Sequence, residues 1–241
     1  MIALTYTIRL LEPLLATSAQ GDPNSRVSYD YIPGSMIRGL IAKCCNTHGS
    51  VDQVFMEWTR PYLFDGSVRF LNAYLAYDEN DVENERCLPV PLSWHKEKTK
   101  KGEILEVEDF ALLDPEQSNF EKSTGVEAGF ISQWSSNPTF KKASRSVSIH
   151  TRRDRHAGRA TKTHGDVYRY EVLSAGQILT GAILVPNEEI GGQLQQWLTP
   201  HNVPTHHSIG GAQSAGYGLV EISNLIRVHS QSMLNQEGRG D

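Results

Sequence analysis

The densest concentration of charge in this sequence is a basic stripe at residues 141–162. Eight lysine and arginine residues stand there against one acid, Asp154, in a chain whose net charge is −5. Guanidinium groups suit paired hydrogen bonds to phosphate oxygens, so the stripe predicts a nucleic-acid-contacting loop on an acidic body. A solvated basic loop is the alternative. The candidate binding residues here are Arg145, Arg152, Arg153, Arg155, Arg159, Lys162 and His164.

A second place for a phosphate is the turn Pro33-Gly34 and the helix that follows it. Ser35 is the predicted N-cap, and the free N–H groups of the first helical turn can hold an anion. Arg38 lies one turn further on and would add a positive charge. Gly34, Ser35 and Arg38 are therefore candidate binding residues, although an ordinary capped helix has the same pattern.

A third motif is a glycine-rich segment close to the end of the chain. Four glycines fall within nine residues and can expose N–H groups as an anion nest. Neither a GK[ST] sequence nor a helix follows, which excludes a Walker loop and a Rossmann turn. A tight hairpin without a ligand is the alternative. The candidates are Gly210, Gly211, Gly216 and Gly218, with Tyr217 available to stack on a base.

Residues for acid–base or metal chemistry are sparse. Nine histidines are scattered without metal-ligand spacing, and His150, His156 and His164 are the candidates for a general base in RNA cleavage. Asp22 can act as the acid of a metal-assisted cleavage, but an aspartate before proline also forms turns. We therefore predict no catalytic residue, with Asp22 and His150 as weak candidates, and no metal or cofactor.

The N-terminal sequence predicts neither a signal peptide nor a membrane span. Three cysteines, Cys44, Cys45 and Cys87, are a poor disulfide framework, which indicates a reducing cytoplasm. Cys44 and Cys45 fall on a predicted core helix.

The elements that position these motifs alternate between strands and helices. Strands are expected at residues 2–11, 68–77, 146–149, 167–173, 177–185 and 219–228, and helices at 36–46, 51–58 and 188–198. Residues 94–127 show no clear period and are predicted to be a long connection. The order predicts an α+β fold with antiparallel sheets. We expect two ferredoxin-like halves, 1–95 and 128–229, a variable connection at 96–127, and a flexible tail at 230–241.

Several segments together resemble the RAMP superfamily of CRISPR-associated proteins. The segment 32–40, IPGSMIRGL, is similar to the family's helix signature, and 210–218, GGAQSAGYG, to its C-terminal glycine-rich loop. The segments at 63–74, 88–92 and 150–160, and Tyr168-Arg169-Tyr170-Glu171, resemble the Csx-group RAMP subunit of type III-D effector complexes.

The resemblance implies RRM-like (ferredoxin-like) folding and a place in a multi-subunit ribonucleoprotein. Its partners would be the guide RNA (crRNA), backbone RAMP proteins and the large polymerase-cyclase-like subunit. Gly34, Ser35, Arg38 and the glycine-rich loop would face the repeat-derived 5′ handle of that RNA. The resulting hypothesis is a non-catalytic, handle-binding subunit that reads the backbone and stacks on splayed bases.

Three alternatives stay open at this point. The chain can be a metal-dependent target-RNA nuclease that uses Asp22, or a guide-processing endoribonuclease that uses a histidine. It can also be a protein adaptor whose glycine-rich loop only packs against a neighbour.

The basic stripe generates the first testable prediction. Changing Arg152, Arg153 and Arg155 together to glutamate replaces three phosphate-binding charges by repulsive ones, so assembly with guide RNA should be abolished. The measurement is the amount of guide RNA retained by the purified complex. Unchanged retention would show that the stripe does not bind RNA.

Overall fold

The computed structural model of this chain describes residues 1–17, 25–46, 53–77, 86–98, 106–113, 115–127, 129–132, 139–151 and 167–229. The predicted α+β class with mostly antiparallel sheets is confirmed. The helices are α1 (Gly34–Asn46), α2 (Gln53–Leu63) and α3 (Glu188–Leu198). The strands are β1 (Ile2–Leu10), β2 (Ser25–Val27), β3 (Arg69–Phe70), β4 (Tyr74–Leu75), β5 (Leu88–Pro89), β6 (Trp94–Glu97), β7 (Glu108–Asp109), β8 (Ser123–Gly125), β9 (Phe130–Ile131), β10 (Phe140–Lys141), β11 (Arg145–Thr151), β12 (Val167–Leu173), β13 (Ile178–Val185), β14 (Thr205–Ser208) and β15 (Leu219–His229).

Strand β1 lies inside the main sheet, whose strand order is β14-β15-β1-β13-β3, with β4 also paired to β13. Its backbone runs antiparallel to β13 on one side and to β15 on the other. Every residue of β1 except Arg9 is buried, so the strand is covered on both faces. Its aliphatic, threonine and tyrosine side chains suit this position. The main sheet thus combines strands from before and after the predicted connection at 96–127.

Helix α3 has the bounds that the sequence predicts. The Asn187 side chain accepts a hydrogen bond from the Ile190 N–H at 3.0 Å, which caps the first turn. Glu188 and Glu189 follow, where negative charge favours a helix N-terminus. Leu194 and Leu198 are buried in the main core. Among the described residues, no helix is long and apolar enough to cross a membrane.

Helix α1 begins at Gly34, so Ser35 lies within its first turn and the predicted N-cap at Ser35 is wrong. The reason is steric. A Cβ atom on Gly34 would stand 2.0 Å from the Phe70 carbonyl oxygen, so only glycine allows the helix start to approach β3 this closely. The Gly34 N–H donates to Asn72 Oδ1 at 3.0 Å, which satisfies one free group of the helix end.

Residues 94–127 differ from the irregular connection that the sequence predicts. They contain a three-stranded antiparallel sheet with the order β7-β6-β8. The His95 and Phe110 rings stack at 4.2 Å, and Glu108 accepts hydrogen bonds from Ser118 and Asn119. These strands have two to four residues each, too few for a hydrophobic period to stand out.

The core generates a second prediction, at Tyr6. Its ring lies across Gly181 of β13, where an added Cβ atom would meet the ring at 2.6 Å. The Tyr6 hydroxyl is buried without a hydrogen-bond partner among the described residues, and burial raises its pKa. Removing an unsatisfied buried hydroxyl relieves its desolvation cost, so Tyr6→Phe should raise the free energy of unfolding by about 1 kcal/mol.

Urea denaturation measures this change. The matched control is Tyr6→Leu, which loses the ring over Gly181 and should lower the free energy of unfolding by about 2 kcal/mol or more. A Tyr6→Phe protein less stable than the wild type would show that the hydroxyl has a partner.

Candidate nucleic-acid interface

The hairpin of β11 and β12 brings three aromatic side chains to one face of a small sheet. In the register of this antiparallel pair, His150 lies opposite Tyr168, and Ser148 lies opposite Tyr170. Side chains alternate between faces along a strand, so His150, Tyr168 and Tyr170 share a face. The basic stripe continues directly from the end of β11 at Thr151.

Two of the hairpin rings, His150 and Tyr170, meet Tyr217 of the glycine-rich segment, and together with Tyr168 they form a four-ring cluster. His150 Nε2 and the Tyr217 hydroxyl are 2.8 Å apart, which is a hydrogen bond. His150 stacks on Tyr168 with ring centroids 5.3 Å apart, and Tyr170 lies 5.0 Å from His150 and 5.9 Å from Tyr217. Tyr217 is buried, whereas the other three rings are half-buried. The cluster therefore joins two motifs that are far apart in sequence and keeps ring surface accessible.

The glycine-rich segment packs tightly against residues 11–16, which follow β1. Gly210, Gly216 and Gly218 all have positive φ angles. A Cβ atom on Gly218 would stand 2.0 Å from the Ile209 carbonyl oxygen, and one on Gly210 would stand 2.8 Å from the Leu15 carbonyl oxygen. Glycine is therefore required at 210 and 218 by close backbone approach as well as by φ.

The N–H groups of this segment point mainly into the protein. Gly211 donates to the Leu15 carbonyl at 3.0 Å, and Gly218 donates to the Pro13 carbonyl at 2.9 Å. Gly216 donates more weakly, at 3.4 Å, to the Gln213 carbonyl. An anion nest needs N–H groups that are open to a ligand. The segment thus serves first to place the Tyr217 ring, and the predicted nest does not include these N–H groups.

Gly34, Ser35 and Arg38 line a cavity of about 350 Å³ beside the start of α1. The Arg38 guanidinium donates to the Leu63 carbonyl at 2.5 Å and lies 6.0 Å from the centre of the Phe64 ring. Phe64 is exposed. The structure thus brings the three predicted residues together at one place, whose walls include none of the four clustered rings.

A second aromatic row lies next to this turn. Tyr29 stacks on Tyr31 at 5.0 Å, and Tyr31 meets Tyr74 edge to face at 5.8 Å. Asn72 connects the row to α1, since its Oδ1 accepts from the Gly34 N–H and its Nδ2 donates to the Tyr74 hydroxyl at 3.4 Å. Burial is the first cause of a raised pKa for Tyr31, and Tyr29 and Tyr74 add to it.

The family model of the RAMP superfamily matches residues 7–221, which is most of the chain. The chain belongs to the RAMP superfamily. No curated protein sequence matches it. The match includes the helix turn at Gly34 and the glycine-rich segment. The family resemblance that these two motifs carry is therefore confirmed.

One solved structure has a similar fold at a TM-score of 0.50, and two others are similar at lower scores. A chain of the type III-B Cmr-beta complex bound to cognate target RNA is 13% identical, with 92% of this chain and 96% of that chain covered and a TM-score of 0.50. A chain of apo Cmr-beta is 12% identical, with 93% and 97% covered and a TM-score of 0.49. A chain of a type IV-B CRISPR complex is 13% identical, with 95% and 91% covered and a TM-score of 0.40.

Several predicted site residues of this RAMP chain lie outside the described residues. They are Asp22, Arg152, Arg153, Arg155, Arg159, Lys162 and His164. Their binding or catalytic roles stay predictions. Of the stripe, the structure describes residues 141–151, which include Lys141, Lys142, Arg145 and His150.

Arg145 is engaged within the protein. Its Nε donates to Asp30 Oδ1 at 2.7 Å, and its Nη1 donates to Glu171 Oε1 at 2.9 Å. Partial burial lowers the pKa of Arg145, but the hydrogen bonds and charges of the two carboxylates outweigh this effect and raise it. The two carboxylates neutralise its charge, which removes the electrostatic reason for the predicted phosphate contact. Arg145 ties β11 to the segment before α1.

Sequence reasoning did not single out Tyr168 and Tyr170 as binding residues, nor the Tyr29–Tyr31 pair. Both pairs are two tyrosines separated by one residue, and on the strand β12 this spacing places the Tyr168 and Tyr170 rings on one face. What the sequence did not indicate is the partner ring, because Tyr217 is 47 residues beyond Tyr170.

The geometry of the glycine-rich segment generates a third prediction. Gly216→Ala and Gly218→Ala both place a side chain at positive φ, but only residue 218 lacks space for a Cβ atom. We expect Gly216→Ala to lower the free energy of unfolding by about 1 kcal/mol and Gly218→Ala by about 3 kcal/mol. Urea denaturation of both variants measures the difference. Equal losses would mean that the approach to Ile209 is not a constraint.

Proposed function

We propose that this RAMP chain is a non-catalytic, cytoplasmic subunit of a type III CRISPR effector complex and binds the 5′ handle of the guide RNA. The observation that supports this most is the hydrogen bond of 2.8 Å between His150 and Tyr217. It joins the hairpin that leads into the basic stripe to the glycine-rich segment, so two separately predicted motifs form one surface.

The four-ring cluster has the chemistry of a stacking platform. RNA that is read in single strands splays its bases onto aromatic rings, and each stacked base contributes about 1–3 kcal/mol. Tyr168 and Tyr170 are half-buried, and the buried Tyr217 packs against Tyr170, which in turn packs against Tyr168. Because the rings already hold one another in place, binding a base loses less side-chain freedom than ordering loose rings would.

Charge supplies the second part of the proposal. Residues 152–162 carry four arginines and a lysine and connect the two strands of the hairpin. In this proposal, these cations bind the phosphate backbone of the RNA whose bases stack on the rings. Six or so phosphate contacts would lower the affinity by about three decades between low and moderate salt.

The main sheet supports an RRM-like interpretation of the fold. Its order β15-β1-β13, followed by β3 and β4 at one edge, with α1 after β1 and α3 after β13, has the order of a ferredoxin-like βαββαβ unit. In this proposal β1 and β13–β15 form one unit across the two predicted halves, and the small sheets are insertions. The type III-D subgroup and the other subunits as partners are part of the same proposal.

The first experiment follows binding and cleavage together. The purified chain is mixed with a labelled guide that carries its 5′ handle, once in Mg²⁺ and once in EDTA. We expect salt-sensitive binding without cleavage in both. Metal-dependent cleavage would favour the Asp22 nuclease, and metal-independent cleavage would favour a histidine enzyme. An assembled complex in which this chain forms no crosslink to RNA would favour the protein adaptor.

The stacking platform generates a fourth prediction. Tyr168→Ala removes a half-exposed ring, so the affinity for handle RNA should fall by about tenfold, in line with the value of one stacked base. Tyr168→Phe keeps the ring and is the matched control, with affinity close to the wild type. Fluorescence anisotropy at fixed salt measures both. Equal affinity of the alanine variant and the wild type would exclude a base on this ring.

A further inference from the structure

The three-stranded sheet β11-β12-β2 has a second face, opposite the four-ring cluster. In the register, Val147 lies beside Glu171, which lies beside Val27 on its other side, and Ile149 lies beside Arg169. Val167 lies beside Thr151 at the same level of the pleat. Side chains alternate along strands, so these residues all project away from the rings.

This outer face carries exposed apolar side chains beside the charged Arg145, Arg169 and Glu171. The exposed fractions are 50% for Val27, 52% for Val147, 72% for Ile149 and 64% for Val167. Branched aliphatic side chains donate no hydrogen bonds to phosphate and offer no flat ring for a base. An exposed apolar group of this kind is typical of a protein–protein contact.

Two of these residues, Val147 and Ile149, lie on a sheet edge. Among the described residues, β11 is the outer strand in the order β11-β12-β2. Ser174 N–H donates to the Ser144 carbonyl at 3.0 Å, and bonded pairs recur at every second residue of an antiparallel ladder. The backbone groups of Ser146 and Ser148 therefore face β12, whereas those of Val147 and Ile149 point outward.

A backbone hydrogen bond on the β2 side of β12 indicates the same outward orientation for the backbone groups of Val147. The Glu171 carbonyl accepts the Ser28 N–H at 2.8 Å, so it points toward β2 and away from Val147. Natural proteins block open edges with lysine, proline or a bulge. At the outward positions, β11 instead has valine and isoleucine in a regular register.

We propose that the β11 edge receives an extended segment of a partner protein subunit, which adds a strand beside Val147 and Ile149. Backbone hydrogen bonds would supply affinity, and alternate apolar side chains of the segment would cover the outer face. This proposal depends on the proposed function only in that the chain assembles with other subunits.

Charge indicates one further feature of the segment. Arg169 lies beside Ile149, and its side chain is 54% exposed. Its ion-pair partner, Glu171, is shared with Arg145, at 3.2 Å and 2.9 Å respectively. Glu171 thus pairs with both guanidinium groups, and Asp30 also pairs with Arg145. A segment that carries an acidic residue opposite Arg169 would complement this charge.

The decisive variant is Ile149→Pro. Since the Ile149 N–H points away from β12, proline there removes the group that an added strand needs and leaves the hairpin ladder intact. The variant chain is tagged and co-expressed with guide RNA and the effector subunits encoded beside it. We expect recovery of the other subunits to fall by about tenfold or more, with handle binding by the isolated chain unchanged.

Two controls define the outcome. Ile149→Thr keeps the N–H and the branched shape and should assemble nearly as well as the wild type. Val203→Lys changes an equally exposed valine outside this sheet and should have no effect. Normal assembly of Ile149→Pro overturns the proposal. So does a dimer of the isolated wild-type chain that Ile149→Pro abolishes, since this would assign the edge to a second copy.

Hydrogen exchange keeps the test valid if Ile149→Pro does not fold. In the wild-type complex after ribonuclease treatment, the amides of Val147 and Ile149 should exchange at least about tenfold more slowly than in the free chain. Unchanged exchange, or protection that disappears with the RNA, overturns strand addition. Handle binding by the isolated wild-type chain tests the proposed function independently.

Discussion

Backbone hydrogen bonds of residues 11–16 hold the four-ring cluster in place. This short segment leaves β1 and bonds to two distant parts of the chain. Its Pro13 and Leu15 carbonyls accept the Gly218 and Gly211 N–H groups, and Leu14 exchanges N–H and carbonyl bonds with Leu173 of β12. The glycine-rich segment and the hairpin are thus both fixed to β1, which is itself paired on both sides. The position of the four rings follows from the core of the main sheet.

This arrangement explains why glycines stand where they do. The segment 209–218 must pass close to the Leu15 carbonyl and then turn back beside Ile209, and the space left at Gly210 and Gly218 is too small for a side chain. These positive-φ turns place Tyr217 against His150. In the proposed function, the glycine-rich motif would contact RNA through the ring that it positions, and less through its own N–H groups.

The sequence indicated the separate motifs of this site better than the long-range contacts between them. Helix α3 was predictable to the residue, because Asn187 and Pro200 mark its ends locally. The glycine-rich segment and the helix turn at Gly34 were visible for the same reason. The four-ring cluster was not, since it depends on a contact between His150 and Tyr217 across 67 residues. The engagement of Arg145 by Asp30, 115 residues away, was hidden in the same way.

The small sheet β11-β12-β2 separates two kinds of chemistry by the alternation of its side chains. One face carries His150, Tyr168 and Tyr170, and the other carries branched aliphatic residues such as Val147 and Ile149. The described cations of this hairpin, Arg145 and Arg169, lie on the aliphatic face and point away from the rings. Because both faces share one backbone, a strand added at the β11 edge would also stiffen the hairpin that holds the rings. Contact with a partner subunit and the order of the RNA-facing rings would then be coupled through the β11–β12 ladder, without a change in the main sheet.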